Sequence, residues 1–385
     1  MAAIHLPAAI RIGAGVLSEL PEALAQLGLS RPAIVTDSWM AGSGVLERVG
    51  DILAKAGMPA RAFTGVVPDP TVTSVEAATA FVREGNHDCV IGLGGGSSID
   101  TAKIVAVKAL RDLPVPALKA PHQEDAPALP IIAIPTTAGT GSEATCVTVI
   151  TDAETDEKML CMGLAYLPRL AICDYELTLS KPARLTADTG IDSLIHAIEA
   201  YVSKRANPFA DAMALSSMRL IWPNLPRACA DPADRAAREA LMLGALHGGI
   251  AFSNSSVALV HGMSRPIGAH FHVSHGLSNA MLMPVVTQWS APAALARYAA
   301  CSRAMGIADD SAGDQFAVGA LVEALHQINA DLAVPSPAAY GIDPVRWDAL
   351  LPVMAEQAIA SGSPGNNPRV PQAEDIIALY QQAWR

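Results

Sequence analysis

Aromatic side chains are scarce, at 4% of 385 residues, and charged ones make up only 16%. A chain that is half hydrophobic yet poor in Phe, Tyr and Trp fills its interior with Ala, Val, Leu and Ile. At this length it is expected to form two cores rather than one. Positive charge is short as well: 26 Lys and Arg face 37 Asp and Glu, for a net charge of −11, and no basic block occurs. That excludes nucleic acid as a partner, because nothing would gather around its phosphates. No apolar run approaches the roughly 18–20 residues that cross a bilayer, so no membrane association is expected. The opening "MAAIHLPAAIRIGAG" lacks a basic start followed by a long apolar stretch and does not read as a secretory signal. The six cysteines (Cys89, Cys146, Cys161, Cys173, Cys229, Cys301) include no C-x-x-C pair and read as reduced thiols of a cytoplasmic protein.

Two textures are present. Up to about residue 178, short β-branched runs alternate with Ala- and Leu-rich helical stretches such as 42–57. "PAIVTD" (32–37), "DCVIGLGGG" (88–96), "LPIIAIPTT" (129–137) and "LAICD" (170–174) are expected strands. Such alternation predicts an α/β domain, a parallel sheet covered on both faces, with ligands beyond the carboxyl ends of its strands. Residues 179–385 keep a helical period almost throughout and predict an all-α second domain.

"GLGGGSSIDTAK" (92–103) follows an apolar strand and opens a helix. Gly94, Gly95 and Gly96 leave backbone N–H groups open to a phosphate at the positive end of that helix. Ser97 and Asp100 have capping-box spacing, so a well-capped turn is the competing reading. The usual dinucleotide fingerprint is incomplete, with Ser97 in place of its third glycine. "PTTAGTGSE" (135–143) ends another strand with Thr136, Thr137, Thr140 and Ser142, small hydroxyls suited to phosphate or ribose. Asp37, closing "PAIVTD", can accept both hydroxyls of an adenosine ribose and would repel the 2′-phosphate of NADP; capping the next helix is its plainer role. Three polar strand ends favour a dinucleotide over any single-site reading.

Four of the ten histidines fall in "HGMSRPIGAHFHVSHG" (261–276). In "TGIDSLIHAIEAY" (189–201), Asp192 and His196 are four apart, on one helical face and able to reach one ion. His261 and His275 would be about 21 Å apart on a straight helix, so they can share a metal only if the chain folds back. Pro266 and Gly268 are the expected break. His270, His272 and His275 form a rival local set, and spacing does not choose between the two.

Taken together, "GGGSSIDTAK", "PTTAGTGSE", "TGIDSLIHAIEAY" and "AFSNSSVALVHGMSRPIGAHFHVSHGLSNAMLMP" resemble the signature blocks of the iron-containing (group III) alcohol dehydrogenases, in that family's order and down to "NPRVPQAEDIIALY" (367–380). The resemblance implies a Rossmann-like nucleotide-binding domain (1–178), a helical metal- and substrate-binding domain (179–385) and a metal in the cleft between them. It places the metal ligands on Asp192, His196, His261 and His275. The coenzyme set becomes Asp37, Asp69, Gly94–Ser97, Asp100, Thr136, Thr137, Thr140, Ser142 and Lys158, with NAD favoured over NADP. One carboxylate and three imidazoles suit Fe(II), Zn(II), Co(II) or Ni(II), and the resemblance favours iron.

The implied activity is hydride transfer between an alcohol, aldehyde or hydroxy acid and NAD, the metal polarising the substrate oxygen. His261, His275, Arg265 and His272 are the candidate catalytic residues. The family commonly has a second histidine four residues after the third ligand, which relays the alcohol proton; this chain has Arg265, which does not exchange protons near neutral pH. Either His270, His272 or water takes over, or Arg265 pairs with an anionic substrate group. A structural arginine is the plainer alternative. A maleylacetate reductase-like or glycerol dehydrogenase-like enzyme of the same superfamily is the alternative function. Homodimers or larger homo-oligomers are expected.

Overall fold

The structure is a computed structural model and describes residues 3–153 and 157–385. It divides into two compact units, one spanning His5–Ser180 and the other built on Lys181–Arg385.

The first unit runs β1 (Ala9–Ile12), α1 (Leu20–Gln26), β2 (Pro32–Asp37), α2 (Ser38–Gly42), α3 (Val45–Lys55), β3 (Arg61–Val66), α4 (Val72–Glu84), β4 (Cys89–Gly94), α5 (Gly96–Leu110), β5 (Ile131–Pro135), β6 (Val147–Asp152), β7 (Glu157–Met162) and β8 (Leu170–Cys173). Six strands form one sheet in the order β1-β8-β5-β4-β2-β3, parallel throughout, and β6 and β7 form a separate antiparallel pair. The four expected strands are all present. They are continuous apolar runs because both faces of the sheet are covered. Alternation shows in the packing: Val35, Val90 and Ile131 enter one apolar cluster with α4 and α5, while Ile34, Ile91 and Ile132 enter the other with α1 and α3. β1, β3 and the β6–β7 pair lie outside the sequence expectation. β3, "RAFTGV", is an edge strand with mostly exposed side chains and so lacks an apolar signature.

The chain steps from β2 outward to β3 and then returns to place β4 on the other side of β2, followed by β5. The order therefore reverses between β2 and β4, the kind of position where ligands of open α/β sheets collect.

The second unit is helical, as expected: α6 (Ala183–Val202), α7 (Pro208–Ala230), α8 (Arg235–Ser253), α9 (Leu259–Phe271), α10 (His275–Ser290), α11 (Leu295–Ala304), α12 (Asp314–Asp331), α13 (Pro337–Tyr340), α14 (Pro344–Ala360) and α15 (Ala373–Ala383). α6, α7 and α8 pack together, and α10 packs on both α6 and α9. Buried Trp347 of α14 touches Phe271, Tyr380 and Trp384, and Tyr380 Oη donates to the Met263 carbonyl at 2.6 Å, which ties α9 to α15.

The expected break at Pro266 and Gly268 does not occur. α9 runs through both to Phe271, losing only the bond the proline lacks. The reversal comes instead at His272, held in the left-handed region at φ 56°, three residues before α10 starts at His275. Among the described residues no helix is long and apolar enough to cross a membrane.

Candidate metal centre and coenzyme loops

Asp192 and His196 stand one turn apart near the middle of α6, and His261 lies in the first turn of α9. His275 is the first residue of α10. One donor atom from each lies within 4.8 Å of all the others. Asp192 Oδ1 is 3.4 Å from His261 Nε2 and 3.7 Å from His275 Nε2. Four donors at about 2.1 Å around one ion sit about 3.4 Å apart in a tetrahedron, so this set fits a small divalent cation. His270 and His272 are not in the cluster: His270 Nε2 bonds Gln357 Oε1 at 2.9 Å, and His272 is exposed at the end of α9.

The electrostatics favour positive charge at the centre. Burial works to raise the Asp192 carboxyl, but the facing His196, His275 and His261 outweigh it and hold it well below the usual carboxylate range. Burial likewise opposes protonation of His261, yet the facing Asp192 and Glu199 carboxylates win and raise it to about 9. A cation bound by the same ring would take the place of that proton. His261 Nε2 is also a buried atom without a hydrogen-bond partner, facing the other donors.

Three residues that the sequence reading passed over complete the surroundings. Glu199, three after His196 on α6, sits 2.7 Å from His261 Nδ1 and accepts from the backbone N–H groups of Ala258 and Val260. Asn279, four after His275 on α10, donates from Nδ2 to Asp192 Oδ1 at 2.6 Å and lies 3.2 Å from His275 Nε2. Phe252 of α8 stacks on His196, ring centres 4.3 Å apart. Helical spacing from the ligands was a usable signal for Glu199 and Asn279; for Phe252 there was none. His275 reaches Asp192 because the next residue is glycine. A Cβ on Gly276 would stand 2.4 Å from the Asp188 carbonyl oxygen of α6.

In the first unit, the glycine loop leaves β4 at a strand end flanked by those of β2 and β5. Gly94 has φ +146°, and a Cβ there would meet Ser98 Oγ at 2.5 Å; one on Gly96 would meet Thr140 Cγ2 at 2.9 Å. Such a bare turn at a helix N-terminus fits a phosphate. Thr137 lies beside Gly95, and Thr136 Oγ1 is buried without a hydrogen-bond partner. Asp37 caps α2 through Met40 N at 2.8 Å while its Oδ2 faces the Gly94 turn, so both of its expected roles are compatible. Asp69 and Lys158 pair with each other at 2.8 Å.

One expectation for this loop needs correction. The N-cap of α5 is Gly95, not Ser97, so no capping box forms; Asp100 sits a full turn inside the helix. Asp100 is turned inward, accepting from Ser142 Oγ at 2.6 Å and Val149 N at 2.9 Å. Those bonds engage Asp100 and Ser142 with each other. Lys103, fully buried one turn on, donates to Thr145 O, Thr145 Oγ1 and Val147 O. The polar end of "IDTAK" thus fastens α5 to residues 142–149.

The family model for iron-containing alcohol dehydrogenase matches residues 7–175, and that for the Fe-containing alcohol dehydrogenase C-terminal region matches 186–384. The NAD-dependent methanol dehydrogenase of Bacillus methanolicus is 34% identical, over the full length of both chains. The lactaldehyde reductase of Escherichia coli (strain K12) is also 34% identical, over 97% of each. Among solved structures, a 1,3-propanediol oxidoreductase superposes with a TM-score of 0.95 at 32% identity, covering both chains completely. With one family matched across its whole length and that family's kind of metal cluster in its helical half, the chain belongs to the iron-containing alcohol dehydrogenases, oxidoreductases that act on CH–OH groups.

Proposed function

We infer that Asp192, His196, His261 and His275 hold one divalent ion, iron in preference to zinc, and that the Gly94–Ser97 loop, with Asp37, Thr136, Thr137 and Thr140, holds the coenzyme. The enzyme transfers a hydride between a small alcohol or aldehyde and NAD. A bound ion there supplies Lewis acidity toward the substrate oxygen. Glu199 keeps the His261 proton on Nδ1 and leaves Nε2 free to ligate, while Asn279 orients Asp192. Asp37 accepts the ribose hydroxyls and disfavours a 2′-phosphate, which selects NAD over NADP. One turn beyond His261 stands Arg265, which keeps its proton, so the alcohol proton leaves through water rather than through an imidazole. Asp69 and Lys158 act on the coenzyme side as a pair. The labour divides near residue 178, coenzyme before it and metal and substrate after it.

The observation that carries this reading is the four-donor cluster. Anaerobic reconstitution with Fe(II), Zn(II), Co(II) or Ni(II), then assay of short alcohols and diols with NAD and NADP, tests it. Metal-dependent turnover with NAD is expected; turnover that survives complete metal removal would refute it. The six cysteines form no disulfide among the described residues, which supports a reducing, cytoplasmic setting. β1, an edge strand with Ile12 exposed, supports pairing with a second copy in a homodimer or larger assembly.

A further inference from the structure

Arg265 follows His261 by four residues on α9, so the two side chains leave the same side of the helix with Cβ atoms about 5–6 Å apart. It is only partly exposed, and it makes no hydrogen bond and no ion pair among the described residues. Other partly or fully buried arginines of this unit have protein acceptors: Arg238 bonds Thr186 and Pro232, Arg297 bonds Tyr201 and Asp211, and Arg303 bonds Ala312 and Asp314 through its terminal nitrogens, although its Nε is buried without a partner. Burial lowers the Arg265 guanidinium, and the opposing influence is the Glu199 carboxylate. Yet the oxygens of Glu199 are already taken by His261 Nδ1 and the N–H groups of Ala258 and Val260. A fork of five N–H donors therefore has no acceptor in the protein, and its nitrogens stay open to water or to a ligand that can displace that water. The charge count agrees. Asp192 and Glu199 balance a divalent ion among neutral imidazoles, and Arg265 leaves one positive charge in excess.

We propose that Arg265 binds the anionic end of the substrate, and that the enzyme acts on short hydroxy acids and their oxo acids. This rests on the metal-centre reading above. The carboxylate takes two parallel hydrogen bonds from the guanidinium while the carbinol end lies at the ion. The Cβ atoms of His261 and Arg265 stand one helical turn apart, about 5–6 Å, so a guanidinium turned toward the ion suits a backbone of two to four carbons. The reaction is that of the family: the C–H hydride goes to NAD, the hydroxyl proton to water, and a hydroxy acid becomes an oxo acid.

The test compares glycolate, 3-hydroxypropanoate and 4-hydroxybutanoate with ethane-1,2-diol, 1,3-propanediol and 1,4-butanediol on metal-reconstituted enzyme. The wild type is expected to prefer at least one acid over its matched diol in kcat/KM. In Arg265→Gln the acid-to-diol ratio is expected to fall about ten- to hundredfold, the worth of a charge-assisted bond; Arg265→Lys should keep part of it. Calorimetry with propanoate and butanoate, with and without metal and with NADH present, gives a second readout: their Kd should weaken by a similar factor in Arg265→Gln. A wild type that favours the diols, or an unchanged ratio in the variant, overturns the proposal. So does a variant that loses NADH affinity but not carboxylate affinity, since Arg265 would then serve the coenzyme. If neither acids nor diols turn over, the alcohol dehydrogenase reading fails instead, and the carboxylate Kd values alone decide for or against Arg265.

Discussion

Glu199 Oε2 lies 2.7 Å from His261 Nδ1, and both side chains are buried. The same carboxylate accepts from two backbone N–H groups at the start of α9, so it aims the ring as well as setting its tautomer. Glu199→Gln should keep the shape and lose the charge. Its metal affinity, read by chelator competition, is expected to fall about ten- to hundredfold, with the helical circular dichroism unchanged. Undiminished affinity would show that α9 alone orients His261.

Gly276→Ala probes how α10 approaches α6. The added Cβ would fall 2.4 Å from the Asp188 carbonyl oxygen, a backbone atom that cannot swing away. α10 must then shift and carry His275 with it. Metal content after reconstitution is expected to drop below that of the wild type, while metal-free melting falls by an overpacking cost of about 1–3 kcal/mol. Full metal loading with an unchanged Tm would contradict this.

Coenzyme choice turns on Asp37. Removing its carboxylate in Asp37→Gly takes away both the ribose acceptor and the repulsion of a 2′-phosphate. The ratio of kcat/KM for NAD to that for NADP should fall at least about tenfold, roughly one hydrogen bond to a charged group. A variant with no gain on NADP relative to NAD would mean that coenzyme choice is made elsewhere.

The pH dependence of stability should carry the mark of Glu143. Burial pushes this carboxyl up to about 7, with the Lys103 charge acting the other way. A folded-state value above the unfolded 4.5 means that the native state holds a proton the unfolded chain has released. The associated stability is fully present below pH 4.5 and is lost as pH rises toward 7. Glu143→Gln does not titrate, so its stability relative to the wild type should climb across that window, by up to about 3 kcal/mol. Denaturant melts of both proteins from pH 5 to 8 check it; a constant difference would mean that Glu143 is ionised throughout.

Much of this was legible in the residues, for identifiable reasons. The four strands with continuous apolar runs were visible because a sheet covered on both faces demands them; β3 was not, since an edge strand with exposed side chains carries no such demand. Asp192 and His196 were readable as neighbours from helical spacing. That His261 and His275 join them came from the family resemblance and not from spacing, because the chain reverses at His272, a residue with no turn signal of its own, and Pro266 misled by staying inside the helix. Asp100 looked like a cap because its bonds to Ser142 and Val149 span more than 40 residues of sequence. Glu199 and Asn279 needed only the i+3 and i+4 positions of the ligands to be inspected.

The most direct measurement is the metal stoichiometry of protein reconstituted with Fe(II) or Zn(II) and freed of excess ion, compared with that of Asp192→Asn and His261→Ala. One ion per chain is expected in the wild type, and far less in either variant with native circular dichroism retained. Variants that still carry one ion per chain would contradict the account, because the ion would then be bound somewhere other than at these four side chains.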